Sequence, residues 1–185
     1  MVVASISPRW SPMAAAESRF WLRVQHPKSP VMPPLDVPPT PAETATLRQL
    51  AIQWLTDYGL DKQLLQRGST RQAISAVLRE SAGRALIGRF DVESKHAILR
   101  LFAIAERDRG QYRLTLANLE IQHNVEDGTD KTERTYVDQL DIDNDGQDEV
   151  ITSASHSEAW SYAVWKFNAN ARAWREKYKA LAGGC

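Results

Sequence analysis

From Thr40 onward the apolar positions fall into two regimes, one of helical period and one of period two. Thr40-Pro41-Ala42-Glu43 has the form of a capping box, with threonine at the cap, proline at the first helical position and glutamate at the third. Leu47, Leu50, Ala51, Trp54, Leu55 and Tyr58 then fall on one helical face, and Gly59 stands where a helix ends in the left-handed region. Ser69-Thr70-Arg71-Gln72 repeats the box-like spacing and predicts a second, shorter helix that turns Ile74, Val77 and Leu78 inward and stops at Gly83.

Past Gly83 the pattern alternates. Leu86, Phe90 and Val92 share one face of a first strand, and residues 97–105 are almost all apolar, as in a strand covered on both sides. Residues 106–110 predict a polar turn and residues 112–121 its return strand, with a slip in alternation that places a bulge near Ala117 and Asn118. A polar stretch, 123–134, leads to strands at 135–140, 150–154, 159–167 and 173–178, the last two joined at Asn168-Ala169-Asn170-Ala171. The expected fold is α+β: two N-terminal helices followed by an antiparallel sheet of about six to seven strands. Residues 40–82 form the helical segment and 83–180 the β region, together one domain. Trp160, Tyr162, Trp165, Phe167, Trp174 and Tyr178 gather in the last hairpin, where cross-strand aromatic pairs stabilise a sheet.

Residues 1–39 show no such period and carry Pro8, Pro12, Pro27, Pro30, Pro33, Pro34, Pro38 and Pro39, so they are expected to be a disordered, extended lead and linker. Arg9, Glu17, Arg19 and Arg23 interrupt every candidate for the apolar stretch of a signal peptide. Composition adds exclusions. With 23 basic and 23 acidic residues the chain has zero formal charge, which gives no sign of nucleic-acid binding. No apolar run approaches the roughly 20 residues that span a bilayer. The single cysteine, Cys185, has no partner for an intrachain disulfide.

The chemistry is concentrated in Asp141-Ile142-Asp143-Asn144-Asp145-Gly146-Gln147-Asp148-Glu149, with five carboxylates in nine residues. Folded into a tight turn these charges repel one another, and a hard divalent cation removes the repulsion. Calcium takes six to eight oxygens, and loops of this kind supply them from alternate positions with a backbone carbonyl at the seventh. Counted from Asp141, the ligands are Asp141, Asp143, Asp145, the Gln147 carbonyl and Glu149. Gly146 allows the sharp turn, and Ile142 is expected to point into the core beneath the loop. Asp148, between two ligands, is expected to face solvent.

A helix–loop–helix sensor places a glutamate at position 12, where this chain has Thr152, and its flanks are helical, whereas Tyr136-Val137 and Val150-Ile151-Thr152 favour strands. The segment instead resembles the strand–loop–strand calcium motif of FG-GAP/VCBS-type repeats, as in integrin-like β-propellers, over residues 135–178. That resemblance implies one blade-like calcium loop; with one acidic loop in the sequence it does not extend to a propeller. Its functional implication is a non-catalytic, calcium-stabilised β module, extracytoplasmic, with a protein or glycan partner. The alternatives are a hydrolase-type enzyme using His123 or His156, and a cytoplasmic calcium sensor. His26, His96, His123 and His156 lack the spacing of a zinc helix, and Glu120, His123 and Asp127 form only a loose polar group.

Overall fold

The computed structural model describes residues 37–79, 83–95, 97–123, 132–155 and 159–184. The chain divides into Met1–Pro33 and Pro34–Cys185, and every described residue belongs to the second unit. The expected disorder of residues 1–39 therefore falls almost wholly outside the described residues. Val37, inside that stretch, forms an isolated antiparallel bridge with Ser75.

Helix α1, Pro41–Asp57, begins as its sequence dictates: Thr40 accepts from the Glu43 amide while the Glu43 carboxylate accepts from the Thr40 amide. It buries Leu47, Ala51, Ile52 and Leu55. A short helix α2, Lys62–Gln66, follows, capped by Asp61.

Among the described residues the rest is β structure, in two four-stranded antiparallel sheets. The first contains β1 Ser69–Arg79, β2 Gly83–Glu93, β3 Ala97–Asp108 and β4 Gln111–His123, in sequence order. The second contains β5 Glu133–Leu140, β6 Glu149–Ser155, β7 Ala159–Asn168 and β8 Ala173–Gly184, also in sequence order. The chain passes from one sheet to the other between His123 and Glu133.

Side-chain alternation assigns the two faces of the first sheet to different cores. On one face Leu86, Phe90, Val92, Leu99, Leu101, Ala103 and Ala105 pack with Leu47, Ala51, Ile52 and Leu55 of α1 and Leu65 of α2. On the other, Ala76, Leu78, Ala85, Ile87, Phe102, Ile104 and Leu116 meet Val150, Ala163, Trp165 and Trp174 of the second sheet. The layers are thus helix, sheet, sheet. Strands β2 and β3 are covered on both sides, which accounts for the nearly unbroken apolar run in β3.

This architecture overturns the expected α+β arrangement of two helices and a single sheet. The Ser69-Thr70-Arg71-Gln72 segment opens strand β1, not a helix, and 69–79 pairs along β2. Ile74 and Leu78 are four residues apart, a spacing that shares a face in a helix and in a strand alike. Ala76 between them is buried at 0% exposure and completes the period-two face, while Val77 is only half-buried. Gly83, at φ 68°, starts β2 instead of ending a helix. The bulge expected near Ala117 and Asn118 lies slightly earlier, where pairing shifts between Ile104–Leu116 and Ala105–Leu114 and leaves Thr115 over.

Candidate metal centre

Strands β5 and β6 pair up to Leu140–Glu149, and the acidic segment is the loop that closes this hairpin. The chain turns by placing Asn144 at φ 57° and Gly146 at φ 86°, the left-handed region that Gly and Asn tolerate. Carboxylates brace the turn from inside. Asp141 accepts from the amides of Asp145 (3.0 Å) and Gly146 (2.9 Å), and Asp145 accepts from the Gln147 amide (3.0 Å). Glu149, the first residue of β6, accepts from the Ile142 amide through Oε2 at 2.8 Å.

This folding brings Asp141, Asp143 and Glu149 together, each offering an oxygen within 4.8 Å of the others. Their burial is graded: Glu149 is 1% exposed, Asp141 half-buried and Asp143 exposed. The second oxygen of Glu149, Oε1, is buried. All the oxygens in reach are hard, as an alkaline-earth ion requires. On donor chemistry and on their convergence, the three residues fit a divalent cation.

Two lysines that sequence reasoning missed also reach the cluster. Lys166 Nζ donates to Asp143 (2.7 Å) and to Asp145, and forms an ion pair with Glu149 Oε1 at 3.1 Å. Lys177 Nζ donates to Asp143 as well. The ammonium of Lys166 holds the Asp143 carboxyl down at about 2, with Lys177 adding to the effect. The same bonds, first to Asp143 and then to Asp145, raise the Lys166 ammonium above its ordinary value. The signal for Lys166 is present in the sequence but needs the strand register. Trp165 is buried and paired with Val150, so Lys166 takes the opposite face at the position across from Glu149.

Two orientations differ from expectation. Ile142 is 46% exposed and does not enter the core. Asp148 does not face solvent: it is half-buried and accepts from the Gln139 side chain, whose amide also bonds the Val77 carbonyl. Burial pushes the Asp148 carboxyl up, and the charges of Asp141 and Glu149 push it further. Gln147 lies exposed at the loop surface, its amide turned to Asp145.

The histidines do not assemble a catalytic group among the described residues. His123 is exposed at the end of β4 opposite Ala97, and Glu120 is engaged by Arg134 at 3.2 Å. His26, His96, Asp127 and His156 lie outside the described residues. The flank after the loop is strand β6, not the helix that a sensor hand places there. No helix among the described residues is long and apolar enough to cross a membrane. No protein-family model matches the chain, and no curated protein or solved structure does either.

Proposed function

We propose that the loop between β5 and β6 binds calcium, and that the domain is a non-catalytic, calcium-stabilised β module. The reading rests on one observation: Asp141, Asp143 and Glu149 converge, each offering an oxygen within 4.8 Å of the others. Asp141, Asp143 and Glu149 would hold the ion, with Asp145 and the Gln147 carbonyl completing the oxygen set. A bound cation supplies local charge neutralisation, which relieves repulsion among five carboxylates and locks the hairpin. Loops of this class bind with dissociation constants of about 10⁻⁴–10⁻³ M in extracellular modules. That range suits a domain working outside the cytoplasm on a protein or glycan partner.

Lys166 favours a second reading, in which its ammonium is the loop's permanent cation and the hairpin needs no metal. Thermal melts separate the two. A ligand bound only by the native state at 100 times its dissociation constant adds about 2.7 kcal/mol, which raises the midpoint of a domain this size by roughly 5–10 °C. Calcium at saturating concentration is expected to give that rise over chelator, and magnesium much less, because it demands near-octahedral geometry. Superimposable melts in calcium and chelator would discard the calcium reading and leave the lysine clamp.

A further inference from the structure

We infer that a second site, independent of the acidic loop, binds a multivalent oxyanion, a phosphate or sulfate group, in an arginine-lined pocket where the β3–β4 and β7–β8 turns meet. The pocket encloses about 340 Å³ and is lined by Arg79, Arg107, Arg109, Arg113 and Arg172, with Glu106 and Asp108 as its carboxylates. Arg107 borders the pocket, but its guanidinium lies over the Tyr112 ring on the face packed against α1. The other four guanidinium groups against two carboxylates leave two positive charges uncompensated in one concavity.

Both carboxylates are already fully engaged, and the way they are engaged positions the arginines. Glu106, 1% exposed, accepts from Arg79 Nε at 2.8 Å through Oε1 and from Trp174 Nε1 at 2.9 Å through Oε2. Asp108 takes Arg172 at 2.6 Å on one oxygen and Arg113 at 3.5 Å on the other. Arg113 also donates to the Arg172 carbonyl at 2.9 Å, which ties the turn of one sheet to the turn of the other. Arg79 is stacked over Phe167 at 3.5 Å from the ring centre, an arrangement that fixes the plane of its guanidinium.

Each arginine so held spends one or two of its five N–H donors, and the remainder are left for a ligand. Arg109, at φ 53° in the β3–β4 turn, makes no hydrogen bond or ion pair among the described residues and stands exposed at the rim. A planar fork of donors matches the oxygens of phosphate or sulfate in paired hydrogen bonds, which a lysine point charge does not. Groups tethered beforehand lose little freedom when the anion arrives. A net charge of two favours a multivalent anion over a single carboxylate.

The test is calorimetric titration of the full chain in calcium-free buffer, at an ionic strength held constant with sodium chloride. The two probes are inorganic pyrophosphate and a sulfated disaccharide. Saturable one-site binding of at least one probe is expected, and the tighter probe identifies free phosphate or glycan sulfate as the source. The exposed double variant Arg109→Gln/Arg172→Gln is expected to keep the parent's circular dichroism and to bind that probe at least about tenfold more weakly, the loss expected for charge-assisted hydrogen bonds. Arg67→Gln, an exposed charge at the end of α2, is the control and is expected to bind within about twofold of the parent, as a screened, distant charge should. Absence of saturation with both probes, or equal losses in the control and the double variant, would overturn the site.

Discussion

At Lys166 the ammonium occupies the space between Asp143, Asp145 and Glu149 that a bound cation would share, so lysine and calcium compete for the same oxygens. Lys166→Met keeps the aliphatic stem and removes the competitor. It is expected to lower the midpoint of the metal-free protein and to tighten calcium binding on the order of tenfold, the scale of one charge-assisted interaction. Calorimetry in both states checks this, and weaker calcium binding would mean that Lys166 supports the site. The same contacts set a pH dependence. The folded Asp143 carboxyl, at about 2, lies below its ordinary 3.8, so the stability it contributes is full above 3.8 and is lost as pH falls from there toward 2. Asp148 acts with the opposite sign: its raised carboxyl costs stability as it ionises with rising pH. In chelator, Asp143→Asn is therefore expected to flatten the acid limb of a plot of midpoint against pH, while Asp148→Asn raises the midpoint at neutral pH. The spacing of Asp141, Asp143 and Glu149 was legible from the sequence because local turn geometry decides it. The direction of Asp148 was not, because the Gln139 amide that captures it comes from the far side of the hairpin.

For the elements, the first helix was readable because cap, proline and apolar face agree, and the second to eighth strands because alternation and turns agree. Strand β1 was misread where two periods coincide. Ile74 and Leu78 satisfy both, and alanines at 73 and 76 suit helix propensity as well as a crowded sheet interior. What decides the matter is tertiary: the edge of β2 offers 69–79 a ladder, and the irregularity around Gln72, at φ 52°, adjusts its register. Gly68 is the junction that lets α2 give way to β1 over the core. A Cβ there would stand 2.3 Å from Phe90 Cζ and 2.8 Å from Val92 Cγ2, both buried. Gly68→Ala is accordingly expected to destabilise by about 1–3 kcal/mol, the range for overpacking a tight core, and denaturant unfolding measures it. A loss below about 0.5 kcal/mol, the usual size for surface changes, would show that the Phe90 ring rotates aside freely.

On the scale of the whole molecule, the sequence gives no partition of the strands into two sheets, because alternation records which residues are inside and not which sheet covers them. The charged residues within strands carry that information once the layers are known. Arg89, Asp91, Arg100 and Arg134 are buried, and they form a polar seam that continues the apolar contact between the sheets. Arg89 pairs with Asp91 and reaches Glu133, while Arg100 bonds Gln122 and the Thr132 carbonyl. Arg134 of β5 spans the layers, donating to Asn118 at 2.9 Å and Glu120 at 3.2 Å on β4 and to Thr152 at 3.2 Å on β6. Truncating one partner of a buried pair leaves an uncompensated charge and costs about 3–5 kcal/mol. Glu120 keeps 21% side-chain exposure and so retains some solvation, which places Arg134→Met at the lower end, roughly 3 kcal/mol. If the seam joins the sheets through this pair, the double variant Arg134→Met/Glu120→Leu is less destabilised than the sum of the singles, by a coupling of about 1–3 kcal/mol. Urea unfolding of the four proteins closes the cycle. Additivity within about 0.5 kcal/mol would mean that the two side chains act independently, and that the apolar patch around Val150, Trp165 and Trp174 alone holds the sheets together.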